Sequence, residues 1–329
     1  MSEVFEGVLK GFPGQLERGL EFSKGVKIDE GFDEVFVLGV GGSALGGLIA
    51  KSYLKERNCS VPVTLHKNYG LPRKLSKESL VLAFSYSGNT EETLNAFENC
   101  AKITDRIVSV TTGGKLLELS KEKGLQSVVL QSGMPPRFAA GYFFAVTVGL
   151  LAKTGKAPKE CVDELVKTSR NVAGKDFTGL AEGLARESKG KIPIIYSTDK
   201  YSPVAFSWKF NFNETSKIPS FWHTFPDVNH NETAGYEETD VAKFHFYMLR
   251  DNEDDKRCSQ RMEITSRIVT ENGNTASIID LQGNSYLEKM LWGLCLGNWT
   301  TYFKAKELGK DPADPGLVSV LKRELAKTG

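Results

Sequence analysis

The stretch EVFVLGVGGSALGGLIAKSYLKE, Glu34–Glu56, decides the fold. Its first five residues, Glu34–Leu38, are strand formers. A glycine-rich turn, LGVGGSALGG (Leu38–Gly47), follows, and a helical segment, Ala44–Glu56, completes it. An almost unbroken run of Val, Phe and Leu marks a strand covered on both faces, as in a parallel sheet. Strand, tight turn and helix in this order open a βαβ unit.

The alternation continues along the chain. Val61–His66 and Leu80–Phe84 read as strands, Thr90–Ile103 as a helix, Ile107–Thr111 and Ser127–Leu130 as strands, and Phe138–Lys153 as an apolar helix. Strands separated by helices imply a parallel sheet with helices on both faces. After a linker-like Thr154–Pro158 and a charged helical segment to about Lys191, the pattern restarts. Pro193–Tyr196, Phe244–Leu249 and Thr275–Ile279 are strand-like; Pro203–Phe212, Asp254–Glu271, Tyr286–Leu308 and Leu317–Lys327 are helical. The expectation is an α/β protein of two α-β-α sandwich subdomains, each with a mainly parallel sheet. Their bounds are 1–153 and 191–329, with a helical linker at 154–190. Sequence identity between the halves is weak, so the repeat is one of architecture.

A length of 329 residues suits about two domains. With 42 Lys+Arg against 41 Asp+Glu, the formal charge is +1, which argues against nucleic acid or a membrane surface as partner. The N-terminus carries charges throughout and lacks a signal-peptide apolar core; no run is long enough to span a bilayer. Five scattered cysteines without metal or disulfide spacing fit reduced thiols in a cytoplasmic protein.

Gly39, Gly41 and Ala44 satisfy a dinucleotide fingerprint, but that site needs an acidic residue after the next strand. The strand ends in His66-Lys67-Asn68, so the second half of the site is missing. The alternative is a phosphate alone. Gly41 and Gly42 admit close backbone approach, and Ser43 opens a helix whose N-terminus favours an anion. A plain turn with a serine cap explains the same residues equally well.

The second loop tips the balance. LVLAFSYSGNTEET, Leu80–Thr93, empties a buried strand into Ser85, Ser87 and Thr90. One helix cap uses one hydroxyl and leaves the others unexplained. Ligands of open parallel sheets bind beyond the carboxyl ends of strands, where both loops fall. Hydroxyls, backbone N–H groups and two helix N-termini would hold a phosphate dianion without Lys or Arg.

Together, GVGGSALGG (Gly39–Gly47) and SYSGNTEET (Ser85–Thr93) resemble the sugar isomerase (SIS) domain. With PPRFAAGY (Pro135–Tyr142), FNET (Phe212–Thr215) and NHNE (Asn229–Glu232), the chain resembles the bifunctional phosphoglucose/phosphomannose isomerases from about Phe36 onward. That resemblance implies a cofactor-free aldose–ketose isomerisation of a sugar phosphate. It implies Glu214 as the base moving a proton between C2 and C1, and His230 as the ring-opening group donated across a homodimer. Arg137 would stabilise the enediolate, and Lys322 would stand near the reacting oxygens. A base of this kind needs a raised pKa. Glu232 would orient His230. His245, inside an apolar strand, reads as structural; His66 and His223 have no acid–base neighbour in sequence. No group of ligands has metal spacing.

One departure concerns specificity. The family's DPTP-like turn, linked to accepting the C2 epimer, here reads Asp311-Pro312-Ala313-Asp314-Pro315-Gly316, without threonine. The rival class is a non-catalytic SIS sensor, which needs the phosphate loops but not Glu214, His230 and Arg137. The segment before Glu34 is too short for a DNA-binding domain. A related isomerase of an amino sugar or pentose phosphate is the third option.

Overall fold

The first unit begins with two helices that the sequence pattern does not announce, α1 (Ser2–Gly11) and α2 (Gln15–Ser23). Each is amphipathic: Phe5 and Leu9, then Leu16 and Leu20, are buried. Then come β1 (Glu34–Leu38), α3 (Gly41–Glu56), β2 (Val63–His66), β3 (Ser79–Phe84), α4 (Glu91–Cys100), β4 (Ile107–Thr111), α5 (Gly114–Glu122), β5 (Gln126–Val129), α6 (Ala140–Lys153) and α7 (Glu160–Ala173). The five strands are all parallel, in the order β2-β1-β3-β4-β5. One face of the sheet packs Phe36, Leu38, Val81 and Ala83 on Ala96, Phe97, Leu116 and Leu119 of α4 and α5. α3 and α6 pack together elsewhere in the unit, where Gly46 allows near-contact: a Cβ there would fall 2.4 Å from Cβ of Phe143.

The second unit consists of α8 (Thr178–Glu187), β6 (Ile192–Thr198), α9 (Ser202–Glu214), β7 (Phe221–Phe225), β8 (Phe244–Arg250), α10 (Lys256–Glu271), β9 (Thr275–Asp280), α11 (Tyr286–Glu307) and α12 (Leu317–Leu325). Its sheet is parallel throughout, in the order β7-β6-β8-β9. Strand for strand this repeats β2-β1-β3-β4, so the expected reuse of one architecture holds. β7, at the edge, is absent from the sequence pattern. Its FWHTF run is aromatic and half-exposed, without the apolar continuity of a central strand.

This computed structural model describes residues 2–59, 61–237 and 243–327, and the chain divides into two units, Met1–Gly174 and Lys175–Gly329. The division falls inside the 154–190 segment expected as a linker. α7 buries Leu165 and Val172, and Ser169 Oγ donates to the carbonyl oxygen of Pro13 at 3.0 Å, tying it to the first unit. α8 buries Ala181, Leu184 and Ala185 and packs on α11 of the second. The segment is therefore structure belonging to both units. Cys100, Cys161 and Cys295 are buried free thiols, while Cys59 and Cys258 are half-exposed. No helix among the described residues is long and apolar enough to cross a membrane.

Candidate functional site

In the first sheet the strand order reverses between β1 and β3, which opens a crevice beyond their carboxyl ends. The glycine-rich turn leaves β1 and the serine loop leaves β3, so the topology alone brings the two together. Tyr86 N–H donates to Ser43 Oγ at 3.4 Å, joining the loops directly. Ser85 Oγ and Thr90 Oγ1 are 2.8 Å apart, and Thr90 N–H points to Ser85 Oγ at 3.4 Å. Ser87 Oγ accepts from Asn89 N–H at 3.2 Å. Ser85 is fully buried and Ser87 is exposed, so the two hydroxyls are not equivalent.

Neither helix is capped by a side chain. α3 starts at Gly41, behind Val40, and Ser43 lies within its first turn instead of opening it. Thr90 occupies the cap position of α4, yet its side chain makes no capping bond. The hydroxyls are thus not consumed by capping, and two uncapped N-termini meet the crevice with their positive dipole ends.

Glycines let three segments crowd this edge. Gly41 has φ of 57°, in the left-handed region, and a Cβ on Gly42 would fall 2.4 Å from Cα of Arg137 and 2.8 Å from the Pro136 carbonyl oxygen. Gly88 (φ 71°) would place a Cβ 1.8 Å from the Gly113 carbonyl oxygen. Pro136 starts a short 3₁₀ turn, Pro136–Phe138, which carries Arg137 against the glycine turn. Arg137 is 5% exposed, and its guanidinium carbon lies 5.0 Å from the centroid of the Phe138 ring. His66, without an acid–base neighbour in sequence, ends β2 at this same edge, with Nε2 buried and unpartnered.

The second unit carries the remaining candidates. Glu214 is the last residue of α9 and is half-buried. Because α9 returns antiparallel to β6, Glu214 stands at the amino edge of the sheet, just before the loop into β7. Lys217 Nζ donates to the Glu214 carbonyl oxygen at 2.5 Å and also to the Asp314 carbonyl oxygen. The turn before α12 is thereby fastened to the end of α9. Lys322 lies on α12, a helix with no buried residue.

His230 ends a 3₁₀ turn, Asp227–His230, that follows β7 at the carboxyl edge, and it is exposed. Glu214 and His230 of one chain therefore sit at opposite edges of the same sheet. Glu232, expected to orient His230, is held by two phenols. Its Oε2 accepts from Tyr196 Oη at 2.7 Å and from Tyr236 Oη at 3.3 Å. Burial first, then Tyr236 and Glu232, push the Tyr196 phenol above its ordinary pKa, so it remains a donor. His223 gains in the fold the acidic neighbours that its sequence context lacks: it faces Asp227 Oδ2 at 3.5 Å and Glu232 Oε1 at 3.9 Å. His245 is structural as expected: it is buried, with Nδ1 2.8 Å from Thr275 Oγ1. Among the described residues no group of three His, Cys, Asp or Glu is placed to hold a metal ion.

Residues 177–325 match the family described as "Bacterial phospho-glucose isomerase C-terminal SIS domain". Over 98% of its length the chain is 33% identical to a bifunctional phosphoglucose/phosphomannose isomerase of Caldicellulosiruptor bescii, 99% of which is covered. A protein of the same description from Aquifex aeolicus is 30% identical, with 99% of each chain covered. A D-glucosamine-6-phosphate 4-epimerase of Sulfolobus acidocaldarius is 31% identical over 74% of this chain and 75% of its own. Among solved structures, a hypothetical protein from Thermus thermophilus aligns over 99% of this chain and 94% of its own, with a TM-score of 0.75 at 16% identity.

Proposed function

Because the chain belongs to the bifunctional phosphoglucose/phosphomannose isomerase family, we propose that it interconverts glucose 6-phosphate and fructose 6-phosphate through a cis-enediolate. The observation that carries this reading is the uncapped pair of helix N-termini with Ser43, Ser85, Ser87 and Thr90 at the switch point of the first sheet. Gly41 and Gly42 supply backbone N–H groups, and the phosphate is held without a cation, as two dipole ends and several donors allow.

The chemistry then needs three groups. His230 protonates the ring oxygen as the C1–O5 bond breaks, and the C1 hydroxyl gives up its proton to regenerate the histidine, leaving the open aldehyde. Glu214 removes the C2 proton while the C1 carbonyl becomes an enediolate oxygen; the C2 hydroxyl proton passes to that oxygen, and returning the first proton from Glu214 to C1 leaves a carbonyl at C2. Arg137, fixed beside Gly42, is the donor to the negative oxygens, with Lys322 as a second positive group. No cofactor or metal enters. Mannose 6-phosphate requires the opposite C2 face to be protonated, and with Ala313 where the family turn has threonine, we assign it as the weaker activity.

The working unit in this reading is a homodimer. The opposite-edge positions of Glu214 and His230 support donation of His230 by a second copy. α12 also leaves Leu317 (85% exposed) and Leu321 open to solvent. A cytoplasmic place in glycolysis and gluconeogenesis fits the chemistry and the five free thiols. The similarity to a glucosamine phosphate epimerase favours one second reading, action on an amino sugar phosphate. A sensor without chemistry would have no use for Glu214, His230 and Arg137 together.

The test is conversion of fructose 6-phosphate, with glucose, mannose and amino sugar substrates compared. Glu214→Gln should lose turnover by about 10²–10⁴-fold while binding persists. Retained turnover would remove Glu214 as the base.

A further inference from the structure

The second sheet has a switch point of its own, between β6 and β8, beyond their carboxyl ends. In the first unit the matching crevice is lined by glycines and hydroxyls. In the second it is filled from within. Asp251 directly follows β8, and its side chain is 0% exposed. Its Oδ1 accepts from Lys289 Nζ at 2.5 Å and from Glu253 N–H at 3.0 Å. Its Oδ2 accepts from Tyr201 Oη at 2.7 Å and Lys200 Nζ at 3.1 Å.

These donors converge from three elements. Lys200 and Tyr201 sit in the 3₁₀ turn after β6, Glu253 in the loop after β8, and Lys289 in the first turn of α11. Asp254 closes the same loop, accepting from Thr198 Oγ1 and Asp251 N–H, each at 2.9 Å. Two ammonium groups, a phenol and a backbone N–H aimed at one carboxylate form the donor set of an oxyanion site. Burial alone would raise the Asp251 pKa, but the bonds from Lys289, Tyr201, Glu253 N–H and Lys200 outweigh it and hold it at about 2.

We propose that the second unit's switch-point crevice is a small-oxyanion site whose resident occupant is the Asp251 carboxylate, which closes this sheet to phosphate esters. The inference does not depend on the isomerase reading, since it concerns a crevice, between β6 and β8, to which that reading assigns no group. Lys289 is 3% exposed and cannot turn to water for its partner. Removing the carboxylate empties the position between buried Lys289 and partly exposed Lys200. Lys289 keeps Asn252 Oδ1 at 2.7 Å, and the Glu253 carboxylate lies 3.6 Å from Lys289 and 4.0 Å from Lys200; a small anion of matching size can fill the emptied position. Such an anion binds only the folded chain and stabilises it by mass action.

The experiment is thermal unfolding of the full chain with Asp251→Gly, in formate, acetate or phosphate against chloride at equal ionic strength. The expected result is a lowered Tm that formate restores by several degrees in a saturable manner. The original chain should not respond, and the double variant Asp251→Gly/Lys289→Met should have lost the response. Equal shifts in original and variant, or a response kept by the double variant, would overturn the proposal. Should Asp251→Gly fail to fold in chloride, refolding yield in formate against chloride reads the same effect; no gain in formate overturns it. Calorimetric titration of the unaltered chain with inorganic phosphate is the independent arm: no more than one phosphate per chain is expected, and two per chain would refute the closed site.

Discussion

Glu214 and His230 stand at opposite edges of the second sheet, one before β7 and the other after it. Five strand residues at about 3.3 Å each separate the edges by roughly 17 Å. That spacing supports the proposed site, in which one sugar meets Glu214 of one copy and His230 of another. Mixing Glu214→Gln with His230→Asn, each inactive alone, should therefore restore activity, since a mixed dimer holds one intact pair. Random exchange of subunits gives about 25% of the original rate. Two inactive variants that stay inactive after exchange would remove the cross-subunit site.

Gly42 and Arg137 approach so closely that no side chain fits. Gly42→Ala must push the Pro136–Arg137 backbone away, which costs about 1–3 kcal/mol of stability. It should also raise KM and lower kcat together, because the proposed phosphate turn and Arg137, the proposed enediolate donor, move as one. Gly41→Ala meets open space and only left-handed strain, so its stability cost is about 1–2 kcal/mol without displacement of Arg137. Denaturant titration and steady-state kinetics on both variants separate the two.

The 311–316 turn hangs on Lys217, which also holds the end of α9. A residue change in that turn is thus felt beside Glu214. Ala313→Thr should raise the share of mannose 6-phosphate formed from fructose 6-phosphate, with the glucose rate changed less. An unchanged product ratio would detach this turn from C2 selection.

Asp251 also gives the protein a signature in acid. Its pKa falls from 3.8 to about 2 on folding, so the unfolded chain binds the proton more tightly. The stabilisation is complete above the unfolded value and is lost as pH drops through about 2. The shift corresponds to about 2 kcal/mol. Unfolding free energy measured between pH 5 and 2 should show this slope, and Asp251→Asn should flatten it.

Tyr196 and Glu232 brace the segment that carries His230. Tyr196→Phe removes the shorter of two phenol bonds to Glu232 and should lower kcat several-fold while sugar-phosphate affinity is unchanged. A matching loss of affinity would make the role one of general stability.

The central strands are legible in the sequence because their apolar runs are unbroken, and the two site loops because glycines and hydroxyls cluster after such strands. Other parts are hidden for physical reasons. β7 is an edge strand of aromatic and polar residues with no period to read. α1 and α2 are short and charged on one face, so their buried stripe is easily missed. The division at Gly174 rests on which helix α7 and α8 each pack against, and an amphipathic pattern reports a buried face without naming its neighbour. Ser43 reads as a cap because serine before a helix usually is one; its actual bond, to Tyr86 N–H, depends on a strand adjacency absent from local sequence. The opposite-edge placement of Glu214 and His230 requires the topology itself.

In the proposed dimer, with the base and the ring-opening group at opposite edges of each chain's second sheet, turnover depends on how much protein is present. Diluted until copies part, each subunit would remain folded and retain its grip on phosphate, yet be idle. Specific activity would then fall with concentration, and substrate that bridges two copies would hold them in the working state.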